Sequence, residues 1–148
     1  MMSFEQLFSS ASALAMLGWM ILILLPRRWT WLNWIPAYII PVVLSFLYSY
    51  LAARYFFSAE GGFDSLANVQ KLFTYPAVAL AGWVHYLAFD LFIGGWIAKR
   101  DDEINLSRLI QAPILLATFM FGPFGVLVFI IARTIMQSFQ SSATEEVN

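Results

Sequence analysis

Cysteine is absent, and histidine occurs once, at His85. Without thiols there are no disulfides, no iron–sulfur clusters and no thiolate metal sites. One histidine, with no carboxylates clustered inside the apolar segments, argues against an all-protein metal centre, which takes about three or four ligands. No Gly-rich phosphate loop follows a strand pattern, and there is no nucleophile elbow. Charge is scarce as well. Of the 148 residues 11% are charged, with a net charge of −1, where a soluble domain carries about 25%. Nucleic-acid binding, which needs a basic patch, is excluded.

What the chain has is apolar residues, 61% of the total, gathered in four long blocks. That pattern is the mark of an integral membrane protein, with the lipid bilayer as its first partner. The expected architecture is all-α, a four-helix transmembrane bundle in a single membrane domain over residues 1–148. The spans are predicted near residues 4–25, 34–57, 73–98 and 109–137, and the polar tail 138–148 is expected to be disordered. No cationic leader precedes the first apolar run, so a bacterial cell membrane or a thylakoid membrane is the expected location.

Each span carries its own signals. In the first, Ala11, Ala15 and Gly18 form a small-residue face suited to close helix packing. Pro26-Arg27-Arg28 ends it, and Trp29, Trp31 and Trp34 follow at headgroup level. Pro36 fits the first turn of the second span, while Pro41 should kink it or leave the Ala37 carbonyl without its bond. Asp64 is the expected N-cap of a short interfacial helix from Ser65 to Phe73. Lys99 to Glu103 reads as a solvated charge run closing the third span. Gly122-Pro123 should kink the fourth. Arg27, Arg28, Lys99, Arg100 and Arg108 fall on one side, and Arg54, Lys71 and Arg133 on the other. The positive-inside rule then sets both termini outside the cytoplasm.

The third span holds the chemistry. A charge at the bilayer centre costs at least about 3 kcal/mol on insertion scales, so residues kept there point to function. This span contains both His85 and Asp90. Gly82, Tyr86, Asp90 and Gly94 recur every fourth residue and form one stripe, with His85 about 140° away around the helix. The two groups therefore face different neighbours or two sides of one cavity. Counting depth at about 1.5 Å per residue sets Asp90 level with Ser45 and Thr118, and His85 level with Ser12, Tyr48 and the Gly122-Pro123 kink. The hydroxyls of Ser45 and Thr118 are expected partners for Asp90. A pocket lined by His85 and the Gly122-Pro123 kink is expected between the second, third and fourth spans, open laterally to lipid, with Trp83, Tyr86, Phe89 and Tyr48 as further candidate substrate-binding residues. A purely structural role for Asp90, as a buried tie between helices, stays open.

Gly62-Phe-Asp-Ser-Leu66, Val69, Leu72-Phe73, the run Gly82-Trp-Val-His-Tyr-Leu-Ala-Phe-Asp-Leu-Phe92 with Gly94 and Trp96, and Phe119-Met-Phe-Gly-Pro123 with Gly125 together resemble the abscisic-acid-deficient-four-like family. These are small four-helix membrane proteins of plants, algae and bacteria. The resemblance runs from about Trp19 to Ile131. Plant members are implicated in forming neoxanthin from violaxanthin, so the resemblance implies carotenoid metabolism and a carotenoid or other isoprenoid ligand. Turning an epoxy end group into an allenic alcohol is an isomerisation by acid and base. It calls for no cofactor and no metal, and His85 and Asp90 are the candidate catalytic groups. Implied protein partners are a second copy of the chain or other carotenoid-pathway proteins. A carotenoid- or lipid-binding accessory protein, or a structural subunit, remains the alternative.

Overall fold

The computed structural model describes residues 2–25, 29–104 and 106–145. Among them every regular element is helical. Three helical stretches are long and apolar enough to cross a membrane: Phe4–Leu24, Trp31–Ser58 and Pro76–Glu103. The expected connection at Pro26-Arg27-Arg28 lies outside the described residues. The chain divides into two compact units, Met1–Gly95 and Trp96–Asn148.

The first unit is built on three long helices. Helix α1, Phe4–Leu24, opens on a capping box: Ser3 Oγ accepts from the Gln6 backbone, and Gln6 Oε1 accepts from Ser3 N–H at 2.9 Å. Its buried residues Ala11, Ala15, Gly18, Trp19 and Leu22 recur at three- and four-residue spacing, so one face packs. Helix α2, Thr30–Trp34, leads through a π-turn over Ile35–Ile39 into α3, Ile40–Tyr55. The Ile40 N–H bonds to the Ile35 carbonyl five residues back. This wider turn just before Pro41 is where the kink was expected, because Pro41 offers no N–H to Ala37. The helix begins earlier than residue 34, so Pro36 falls within the π-turn rather than in a first turn.

A short helix α4, Leu66–Leu72, follows the loop. Its N-cap is Ser65, whose Oγ accepts from Asn68 N–H at 3.2 Å, and not Asp64 as the sequence suggested. Asp64 instead accepts both bonds from the Asn68 side-chain amide, at 2.9 and 3.0 Å. Helix α5 then runs over Pro76–Glu103. It starts at Pro76, where a missing N–H is harmless, and continues through the charged residues. Asp101 there is fully buried, which corrects the reading of Lys99 to Glu103 as a solvated run.

The second unit holds the end of α5 with α6, Arg108–Phe121, and α7, Pro123–Glu145. A single fourth span was expected over residues 109–137; the described residues form a helical hairpin instead. Gly122 breaks the helix at φ 47° and ψ −100°, in a region that L side chains rarely adopt. The chain folds back so tightly that a Cβ on Gly125 would strike the backbone of Thr118. At the start of α6, Gln111 is buried and its amide donates to the Ala98 carbonyl at 3.2 Å. Phe129 of α7 meets Trp96 edge to face, 5.4 Å between ring centroids. Further along, Arg133 comes within electrostatic reach of Glu103. So α7 returns to the end from which α6 departed. The 14 residues of α6 cover roughly 21 Å at 1.5 Å per residue, short of a core about 30 Å thick. Arg133 therefore joins Lys99, Arg100 and Arg108 at one end, whereas the sequence reading had set it on the opposite side. Helix α7 continues past Ser138, where disorder was expected, to Glu145.

Candidate functional site

Helix α5 presents different sides to its two neighbours in the first unit. Toward α1, Gly18 packs on Leu91, and Gly94 lies against Trp19 and Leu22. Toward α3, His85, Ala88, Phe89 and Phe92 line open hollows rather than a filled seam. The larger hollow has a volume of about 530 Å³. Tyr48, Leu51 and Phe56 form one wall, Val78, Ala81, Gly82 and His85 the other, and Phe63, Leu72 and Phe73 its outer end. Among its lining residues only Tyr48 and His85 bring polar side-chain atoms. Their rings stand 5.2 Å apart, and the Phe89 ring lies 4.7 Å from that of His85.

The outer end of this hollow is a built structure. Gly61 turns the chain at φ 114°, a conformation suited to glycine. Gly62 N–H then bonds to the Asn68 carbonyl at 3.3 Å. The Asp64–Asn68 pair and the Ser65 cap lock the loop onto α4. Glu60 and Lys71 pair at 2.7 Å on the solvent side. The hydrogen bond from Lys71, reinforced by its charge, holds the Glu60 carboxyl below its ordinary range, and the same bond and charge raise Lys71. Phe63 is thereby held with its ring stacked on Phe56 at 5.6 Å. Gly82 lets the Phe73 ring lie directly on α5.

The sequence candidates separate into three places. Tyr48, His85 and Phe89 lie along the α3 side of α5. Trp83, Tyr86 and Asp90 lie off the walls of that hollow. Trp83 donates from Nε1 to Ser12 Oγ at 2.9 Å, and its ring is 5.4 Å from Phe8. Tyr86 lies within electrostatic reach of Asp90, one turn further along the same helix. Asp90 Oδ2 is buried with no hydrogen-bond partner among the described residues. This differs from the expected ties to Ser45 or Thr118. Ser45 lines the smaller hollow, and Thr118 Oγ1 donates to its own helix at the Ile114 carbonyl, 2.9 Å away. Gly122 and Pro123 stand at the turn of the hairpin in the second unit and are not among the residues lining either hollow.

Sequence reasoning did not single out Phe56, Phe57 and Phe63 as wall residues. The available signal was the crowding of phenylalanines around a Gly-Gly loop, at positions 56, 57, 63 and 73. Among the described residues no cluster of three or more His, Asp or Glu side chains is arranged to hold a metal ion.

Searches of curated proteins and of solved structures each returned no match. A family model, ABA DEFICIENT 4-like, matches residues 6–129, and the chain belongs to that family. Membership suggests a carotenoid- or xanthophyll-related role.

Proposed function

We propose that this member of the ABA DEFICIENT 4-like family binds an epoxy-carotenoid from the bilayer and isomerises one of its end groups. The observation that carries the reading is the pairing of His85 with Tyr48 in a hollow otherwise lined by apolar and aromatic side chains. Such a site suits a long hydrocarbon ligand with one oxygenated ring. The imidazole of His85 accepts the proton lost from the first polyene carbon. The electron pair of that C–H bond forms the new double bond of the allene, and the epoxide C–O bond opens. The Tyr48 hydroxyl supplies the proton to the departing oxygen, leaving an alcohol. Proton return from His85 to Tyr48, directly or through a water, resets the pair. Atoms and charge balance, and no electrons are gained or lost.

Asp90, beside Tyr86, serves in this reading as a structural group off the reacting face. Conversion of a purified epoxy-carotenoid, followed by chromatography and absorption, tests the assignment. His85→Ala should slow conversion by about 10²–10⁴-fold with the folded yield intact, because His85 is exposed. Tyr48→Phe should slow it while leaving binding in place. Parental turnover by His85→Ala, with the carotenoid still bound, would overturn the catalytic reading in favour of a binding accessory protein.

A further inference from the structure

Next to the His85 hollow lies a second one of about 270 Å³, lined by Tyr38, Pro41, Val42 and Ser45 from the second helical stretch and by Ala88, Phe89 and Phe92 from α5. The two share no lining residue, yet they abut. His85 lines the first, Phe89 lines the second, and their rings are 4.7 Å apart. Both lie on the same side of α5 against the same helix. From Val78 to Phe92 the seam extends roughly 21 Å at 1.5 Å per residue. At its far end the Tyr38 and Phe92 rings meet edge to face at 6.5 Å.

The small hollow has a local cause. The π-turn over Ile35–Ile39 and the ring of Pro41 distort the helix there, and π-turns of this kind recur at functional sites. Facing them, α5 offers the small side chain of Ala88. The space is therefore narrow and short: from His85 to Phe92 it measures roughly 10 Å along α5. The outer hollow is about twice as large and is bounded by broad aromatic rings at Phe56, Phe63 and Phe73.

We infer that the two hollows form one divided seat with a fixed direction: the ligand's ring occupies the outer hollow, and its polyene leaves past Phe89 through the inner one. This rests on the reading proposed above. The chemistry supports the direction. The epoxide carbon that joins the polyene and the first polyene carbon are adjacent atoms, so both proton transfers occur where ring meets chain. His85 stands at that junction of the seat, with the wide space on one side and the narrow space on the other. The reverse placement would put the ring in the smaller hollow, beyond Phe89 and away from Tyr48. Phe89 and Val42 are then specificity-determining residues for ligands that carry a chain.

The test uses the full chain in lipid nanodiscs with two probes: an intact epoxy-carotenoid, and a truncated analogue with the same epoxy ring and only the first few chain carbons. Binding is read by quenching of tryptophan fluorescence. The parental protein should bind both, the intact ligand more tightly. Val42→Trp, at an exposed position in the inner hollow, should weaken the intact ligand about tenfold or more by excluding its chain. The same substitution should leave the truncated one within about twofold. Phe63→Ala in the outer hollow should weaken both. Equal weakening of the two ligands by Val42→Trp, or none of either, would overturn the divided seat while leaving the carotenoid reading in place. Failure of the parental protein to bind either probe would instead sink the carotenoid reading itself. Should Val42→Trp lower the folded yield, Ser45→Leu in the same hollow gives the same comparison.

Discussion

The two seams along α5 are made from the same helix and differ in almost every respect. The α1 seam is closed by small residues. Gly18 packs on Leu91 and Gly94 on Trp19 and Leu22, and Trp19, Leu22 and Leu91 are left with almost no exposure. In a membrane this is how helices hold each other, because lipid supplies no hydrophobic drive and close van der Waals contact must do so. The α3 seam closes only at its far end, where Gly95 lies against Ala37, and is open from Val78 to Phe92. Pro41 and the π-turn deform one wall, and rings at Tyr48, His85 and Phe89 stand beside unfilled space. In the proposed reading, rigidity and binding fall on different sides of one helix. The polar groups sort accordingly: Trp83 is tied to Ser12 and Tyr86 neighbours Asp90, while His85 remains exposed.

Substituting glycines on the two seams should break the comparison most severely if it is wrong. A Cβ at Gly94 would stand 2.5 Å from Trp19 Cη2, and the Trp19 ring is 3% exposed with nowhere to go. Gly94→Val should destabilise by about 3 kcal/mol, the upper end for overpacking, seen as a large drop in the melting temperature in detergent. A Cβ at Gly82 would stand equally close, 2.5 Å from Phe73 Cε1, but that ring is 45% exposed and can swing aside. Gly82→Ala should leave the melting temperature nearly unchanged. Equal losses from the two variants would mean that Phe73, at the outer end of the open seam, is as tightly packed on α5 as Trp19 is.

A smaller effect is expected at the polar tie. Tyr86→Phe takes from Asp90 the hydroxyl nearest to it in electrostatic terms. A carboxyl oxygen left without a donor typically costs about 1–3 kcal/mol. With Tyr86 itself 36% exposed, about 1 kcal/mol is expected. Thermal melting should register that loss while the rate of conversion stays at the parental level. A collapse of conversion with unchanged melting would move Asp90 and Tyr86 from the structural side of the comparison to the catalytic side.

Much of this division could be read from the residues wherever a helix is continuous. Counting 1.5 Å per residue set Ser12 and Tyr48 at the depth of His85. Ser12 bonds to Trp83 two residues away, and the Tyr48 ring stands 5.2 Å from His85. The angular count likewise separated His85 from Asp90. The count failed at Gly122. Gly-Pro announces a break, but the angle depends on whether glycine enters the left-handed region, and that is decided by tertiary packing. The buried Asp101 was missed for a related reason: a charged stretch reads as solvated, and burial there is set by tertiary packing rather than by composition. The hollows were illegible except as a consequence of Pro41, since a distorted turn implies space without saying which rings will border it.

The smallest effect is expected at the roof of the open seam, and its pH dependence is two-sided. Glu60 and Lys71 are bonded at 2.7 Å, yet both side chains are more than half exposed, so water screens the pair. The bond lowers Glu60 below its ordinary 4.5. Its contribution is therefore complete above that value and disappears as pH falls through the lowered one. Lys71 is raised above its ordinary 10.5, so its contribution is complete below that value and disappears as pH rises through the raised one. Around neutrality the pair should be insensitive to pH. Glu60→Gln should shift the neutral-pH melting temperature by no more than the scatter of the measurement, because the Asp64–Asn68 bonds and the Gly61 turn hold the roof without it. Asn68→Ala removes those bonds and should loosen Phe63 over the outer hollow, weakening ligand binding while Glu60→Gln does not. A Glu60→Gln variant that loses binding as strongly as Asn68→Ala would show that the roof is held by charge at its surface rather than by the hydrogen bonds beneath it.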